Sequence, residues 1–315
     1  MRWFALFMAS ALASPAYGFD VQGHRGARGL APENTLAAFR TGLSLGVDTL
    51  ETDLAVTRDG VLVISHNPRL NPDMTRDAEG HFLAAEGPPI HDLTLAEVAR
   101  YDVGRLNPQR NYAAQFPAQR PQDGERIPTL AALFELVKSS PKPVALNIET
   151  KIDPGRPGDT PSAEEFAGRV VDAVRAAGLA ARVTIQSFDW RTLVEVKRIA
   201  PELRTACLTQ ETQNSNNVAS RDGRASPWTA GFDLRAVEGS VPRLVKAAGC
   251  DIWSPFFRNA TPERIKEAHA LGLTVLPWTV NDAADMERLI DAGVDGLISD
   301  YPDRLRAVAD RHARR

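Results

Sequence analysis

Eight short apolar runs, at residues 21–23, 49–54, 144–148, 183–186, 204–208, 251–253, 274–278 and 296–299, alternate with stretches of helical periodicity. No other feature constrains this chain as much. Strands that read as near-continuous apolar runs are buried on both faces, which is the state of parallel strands covered by helices. Between them apolar residues recur at helical spacing. Leu36, Phe39 and Leu43 follow Asn34, read as an N-cap, and Val170, Val171, Val174 and Leu179 precede the fourth strand. Leu193, Val196 and Ile199 follow that strand until Pro201 stops the helix, and Met286, Leu289 and Ile290 precede the eighth. Eight β-then-helix units within 315 residues predict an α/β fold, a (β/α)8 TIM barrel occupying 19–315 as a single domain. An open doubly wound sheet is the competing arrangement.

Two intervals exceed an ordinary βα loop. Residues 67–125, rich in Pro, Asn, Gln and Arg, read as an insertion between the second and third barrel strands, with a short helix expected at 94–101. Residues 209–240 are polar and then aromatic, with Trp228 and Phe232. Both follow strands, so both are expected over the C-terminal mouth of the barrel. At the N-terminus Arg2 precedes an apolar run to Ala13 and small residues to Gly18, the pattern of a secretory signal peptide at 1–18 and too short for a membrane span. Export is therefore expected, to a periplasm or beyond the cell, with no stable membrane insertion. Cys207 falls late in the fifth strand and Cys250 just before the sixth. Parallel neighbours place those positions at opposite ends, so the expectation is two buried thiols, although export permits a disulfide. The formal net charge of −3 offers no polyanion-binding surface, and nucleic acid is not an expected partner. Oligomeric state is not legible.

Polar residues gather where the strands end. The first strand runs into Gly23-His24-Arg25-Gly26, a proton carrier beside a fixed anion receptor. The second carries Glu51 and Asp53, which at i and i+2 share a face. Paired carboxylates inside a barrel repel unless a cation sits between them. Asp59-Gly60 marks a hairpin turn that carries His66 back toward that pair. Asn147, Glu149 and Lys151 share a face at the end of the third strand; Gln186-Ser187-Phe188 end the fourth, and Trp278, Thr279 and Asn281 the seventh. Barrel enzymes do their chemistry on that rim. Three oxygen donors without a cysteine cluster suit one divalent cation, Ca²⁺ or Mg²⁺, rather than zinc, and a metal with nearby cations suits a phosphate. There is no Gly-rich nucleotide loop and no Gly-x-Ser-x-Gly elbow.

These segments resemble the glycerophosphodiester phosphodiesterase family in its exported, bacterial form. The resemblance rests on His24-Arg25-Gly26-Ala27-Arg28-Gly29-Leu30-Ala31-Pro32-Glu33-Asn34-Thr35, Glu51-Thr52-Asp53-Leu54, Ser65-His66-Asn67, Glu149-Thr150-Lys151, Gln186-Ser187-Phe188, Trp278-Thr279-Val280-Asn281 and the closing run Gly296 to Pro302. It implies that Glu51, Asp53 and Glu149 hold the metal and that His24 and His66 are the acid–base pair. It further implies that Arg25 and Lys151 hold the phosphate, and that Gln186 and Trp278 line the substrate side. The implied reaction is metal-dependent hydrolysis of glycerophosphodiesters to an alcohol and sn-glycerol 3-phosphate. A lysophospholipase D acting on acylated substrates is the near alternative, its acyl chain held by Trp228, Phe232, Phe256 and Phe257. A non-catalytic phosphate-ester binding protein is the alternative of another class.

Overall fold

A computed structural model describes residues 18–314; the expected leader, Gly18 apart, lies outside the described residues. The chain forms the strands β1 (Asp20–Gly23), β2 (Thr49–Val56), β3 (Leu62–Ile64), β4 (Ala145–Thr150), β5 (Val183–Ser187), β6 (Arg204–Thr209), β7 (Ile252–Pro255), β8 (Thr274–Val275) and β9 (Gly296–Ser299). Strand β3 pairs antiparallel with β2 as the expected hairpin, and Gly60 at φ 80° makes its turn. The other eight pair in parallel in the order β8-β7-β6-β5-β4-β2-β1-β9. Hydrogen bonds from Asp295 N to Val275 O, Ile298 N to Pro277 O and Val280 N to Ile298 O join the two ends, completing the barrel. Strand β8 is shorter than the expected 274–278 because Pro277 has no N–H for a ladder.

Nine helices among the described residues follow the strands: α1 (Leu36–Ser44), α2 (Leu95–Val98), α3 (Leu130–Lys138), α4 (Ala163–Ala176), α5 (Trp190–Ile199), α6 (Val241–Ala247), α7 (Pro262–Ala270), α8 (Ala283–Asp291) and α9 (Pro302–His312). Their apolar faces and the outward residues of the strands, among them Leu50, Leu146, Ile185 and Leu297, form the main core. The N-cap of α1 is Thr35, whose hydroxyl accepts from Ala38 N, and not Asn34. Asn34 sits one residue earlier in a left-handed conformation, φ 57°. Within the insertion, α2 occupies part of the expected 94–101 helix, with a reciprocal capping box between Thr94 and Glu97. Leu70, Ile90, Val98, Val103 and Ile127 pack there against Ala55 and Val63 as a second, smaller core.

The inside of the barrel is divided. On one side Ala206, Ile252, Leu276 and Ile298 form an apolar plug. On the other, Asn147 Nδ2 donates to both Gln22 Oε1 and Gln186 Oε1, each at 3.0 Å, and the carboxylates stand above this layer.

Cys207 and Cys250 form a disulfide with Cα atoms 6.0 Å apart, which corrects the expectation of two thiols. Register along β6 and β7 is as anticipated, with Cys207 opposite Trp253. However, Cys250 does not continue the line of β7. Gly249 at φ 81° brings the chain off α6, and Cys250 N donates to Val245 O, so Cys250 stays in the helix layer. The outward side chain of Cys207 meets it there.

Candidate active site

Pairing of β2 with β4 sets Glu51 beside Asn147 and Asp53 beside Glu149. One oxygen from each of Glu51, Asp53 and Glu149 falls within 4.8 Å of the others, and all three residues are buried. Gln186 Nε2 and the Arg25 backbone N–H each donate to the Glu51 carboxylate at 2.8 Å, while Asn34 Nδ2 donates to Asp53 Oδ2 at 2.9 Å. Asp53 Oδ1 is buried without a hydrogen-bond partner. Burial and the neighbouring Asp53 charge push the Glu51 carboxyl well up, and burial raises Glu149 to about 7. Burial alone would raise Asp53 as well, but the charge of His66 when protonated, those of Arg25 and Lys151, and the Asn34 hydrogen bond more than offset it and hold its pKa low. Buried carboxylates with an orphaned oxygen, fixed in orientation by donors from behind, fit a hard divalent cation. Charge agrees: with Glu51 and Glu149 ionised, Glu33, Glu51, Asp53, Glu149 and Asp300 outnumber Arg25, Arg28 and Lys151 by two.

All three cations are turned toward carboxylates, Arg28 toward Asp300. Arg25, at φ 48°, directs Nη1 to Glu33 Oε1 at 2.5 Å and Nε to Asp53 Oδ2 at 3.3 Å. Gly26 permits that tight turn, since a Cβ there would lie 2.6 Å from the Ala38 carbonyl carbon. Lys151 Nζ lies 2.8 Å from Glu149 Oε1 and 3.7 Å from Asp53 Oδ1.

His24 donates Nδ1–H to Asp300 Oδ1 at 2.6 Å, so its Nε2 carries the lone pair and points toward Glu51 Oε2, 3.8 Å away. Burial and the Arg28 charge lower the imidazole to about 4 despite Asp300, leaving it neutral at pH 7. His66 follows β3 as the hairpin requires, 3.4 Å from Asn67 Oδ1 through Nδ1. Burial and then the charges of Arg25 and Lys151 hold it well below its ordinary range.

A cleft of about 160 Å³ is bordered by His24, Arg25, Arg28, Glu51, His66, Glu149, Gln186 and Trp278, so the expected residues converge on it except Asp53, buried beside Glu149, and Lys151, which pairs with Glu149. Trp278 stands edge-on to Phe188 with ring centroids 5.3 Å apart, and Phe256 lies behind it at 5.8 Å. None of the four aromatics expected to hold an acyl chain, Trp228, Phe232, Phe256 and Phe257, borders the cleft; Phe232 and Phe257 pack against the main core. Gln186 has a role the residue order did not suggest, as the donor that orients Glu51. Asp300, Glu33 and Tyr112 were missed as site residues. The first two lay inside quoted motifs, and only their partners in the folded chain reveal what they do.

Residues 24–304 match the model of the Glycerophosphoryl diester phosphodiesterase family. The chain is 33% identical over 286 residues to a glycerophosphodiester phosphodiesterase of Caldanaerobacter subterraneus subsp. tengcongensis, which covers 90% of this chain and 94% of that relative. It superimposes with a TM-score of 0.82 and 36% identity on a crystal structure from Silicibacter pomeroyi DSS-3, with 94% of each chain covered; that protein's assignment as a glycerophosphoryl diester phosphodiesterase is provisional. An Oleispira antarctica phosphodiesterase, solved in complex with the product sn-glycerol-3-phosphate, shares the fold at a TM-score of 0.67 and 23% identity, over 93% of this chain and 97% of that one.

Proposed function

This chain belongs to the glycerophosphoryl diester phosphodiesterase family, and we propose that it hydrolyses glycerophosphodiesters to an alcohol and sn-glycerol 3-phosphate, using one divalent cation, Ca²⁺ or Mg²⁺, with His24 and His66 as acid and base. The observation that carries this reading is the convergence of Glu51, Asp53 and Glu149 at a cleft bordered by both histidines. Glu51, Asp53 and Glu149 would hold the cation, which when bound would neutralise phosphate charge and activate an oxygen nucleophile.

The chain's own groups supply the rest. Arg25 and Lys151 receive the phosphate oxygens, and Gln186 and Trp278 line the glycerol side. His24, neutral and with Nε2 free, takes the proton of the attacking hydroxyl. That hydroxyl is the substrate's own, on the glycerol carbon next to the ester, and it closes on phosphorus as the headgroup alcohol leaves. His66, which takes up its proton as the substrate binds, gives it to the departing oxygen; burial most depresses its pKa, and the Arg25 and Lys151 charges that add to this are those a bound phosphate offsets. The roles then exchange, and water opens the cyclic phosphate to sn-glycerol 3-phosphate. The complex of the Oleispira antarctica phosphodiesterase with that product supports the choice of product.

Acylated substrates are the competing reading, favoured by the aromatic run from Phe188 through Trp278 and Phe256 to Phe257. Choline release from glycerophosphocholine and from lysophosphatidylcholine, compared in one assay, decides between them: faster release from the first supports the proposal. Export is also proposed, with residues 1–18 as a cleaved leader and 19–315 as one domain. The Cys207–Cys250 disulfide supports it, because such bonds persist in oxidising compartments. Among the described residues no helix is long and apolar enough to cross a membrane. N-terminal sequencing of the secreted protein tests the leader, and a start near Phe19 is expected.

A further inference from the structure

Asp300, in the turn after β9, orients His24, but other side chains decide where Asp300 itself stands. Arg28 donates to it through both arms of the guanidinium, Nε to Oδ1 at 2.9 Å and Nη2 to Oδ2 at 3.1 Å. Asn281 Nδ2 adds a bond to Oδ2 at 2.7 Å. Arg28 is in turn gripped by the insertion. Its Nη1 donates to the Tyr112 hydroxyl at 3.1 Å, its guanidinium carbon lies 4.8 Å from the centroid of the Phe116 ring, and its carbonyl accepts from Gln119 Nε2 at 2.7 Å. Asp300 is almost wholly enclosed and the Arg28 side chain nearly so.

We propose that Arg28 is a positioning residue for catalysis, locked by the insertion segment at 112–119, and that it acts by fixing the Asp300 carboxylate and through it the imidazole of His24. This rests on the reading of His24 as an acid–base group. A two-armed guanidinium pair sets the plane of a carboxylate as well as its place, whereas a lysine ammonium is a point charge that sets neither. With Oδ2 held by Arg28 and Asn281, Oδ1 is left facing His24 Nδ1. Without the second arm of Arg28 the carboxylate is free to rotate about its bond to Asn281, and the imidazole loses its fixed direction. The insertion therefore contributes to the reaction itself, through Tyr112 and Phe116. Arg28 also borders the cleft, so the opposing role is direct contact with the phosphate.

A double-mutant cycle separates the two roles, with kcat, KM and metal affinity measured for Arg28→Lys, Tyr112→Phe, His24→Ala and the paired variants. Expected for Arg28→Lys is a loss in kcat of about 10–100-fold, with KM and metal affinity unchanged. Tyr112→Phe should act in the same direction and less. In the His24→Ala background, neither change should cause further loss, because the group they position is gone. Multiplying losses in the double variant, or a raised KM with kcat intact, overturns the proposal. Should Arg28→Lys fail to fold, the Tyr112→Phe cycle decides alone: a loss in kcat that vanishes without His24 supports the relay, and no loss or a multiplying loss overturns it. A His24→Ala protein as active as its parent sinks the acid–base reading and the relay with it. A crippled His24→Ala protein with multiplying losses sinks the relay only.

Discussion

His24 Nδ1 and Asp300 Oδ1 stand 2.6 Å apart although 276 residues separate them in the chain. The contact exists because β1 and β9 are neighbours in register, with Gly23 beside Ser299. It holds the hydrogen of His24 on Nδ1 and leaves Nε2 to accept a proton. Asp300→Asn keeps the size but permits the opposite tautomer. We expect kcat to fall by a factor on the order of 10²–10⁴ with little change in KM. An unchanged kcat would show that the pair does not orient the base.

Attack by the substrate's own hydroxyl makes a separate claim. A substrate whose glycerol 2-hydroxyl is replaced by hydrogen should be hydrolysed far more slowly than its parent. His24→Ala and His66→Ala should each lower turnover by roughly 10²–10⁴-fold on the parent substrate. Equal rates on the two substrates would mean that water attacks directly.

Metal binding should be linked to protons. In the absence of a cation, burial raises Glu51 well above its ordinary value and Glu149 to about 7. Both groups thus carry protons at a pH where free carboxylates carry none, and a cation must displace them. Apparent affinity should fall as the pH drops below about 7, by about tenfold per unit for each proton displaced. Calorimetric titrations in buffers of different ionisation heat count those protons. An affinity flat between pH 5 and 8 contradicts this account. Glu51→Gln and Asp53→Asn should weaken metal binding at every pH.

What could be read from residue order alone follows the range of the interactions. The apolar runs, the Asp59-Gly60 turn and the i, i+2 spacing of Glu51 with Asp53 are local, and each came through. So did the place of His66, since a hairpin returns the chain by a known distance. Contacts that depend on barrel closure did not: Asp300 meets His24 only because the last strand lies beside the first. Tyr112 lies in an irregular segment, where no periodicity reports which way a side chain faces. The cysteines misled because strand register was extended past Gly249, where the chain turns into the helix layer. Asn34 misled because its amide serves Asp53 rather than a helix end.

The disulfide should contribute to stability by an amount that grows with the logarithm of the loop it closes. Cys207 and Cys250 are 43 residues apart, and removing such a link typically costs about 2–4 kcal/mol. Thermal melts of Cys207→Ser, or of the parent under reductant, should shift to lower temperature with activity retained below the transition. An unshifted melt would mean that β6 and β7 gain nothing from the link.

The central claim is a divalent cation at Glu51, Asp53 and Glu149 serving phosphodiester hydrolysis. Its most direct test is choline release from glycerophosphocholine by extensively chelated protein, before and after Ca²⁺ or Mg²⁺ is returned. The account predicts no release from the chelated protein and recovery with at least one of the two ions, sn-glycerol 3-phosphate forming in step with choline. Full activity of the chelated protein would contradict it.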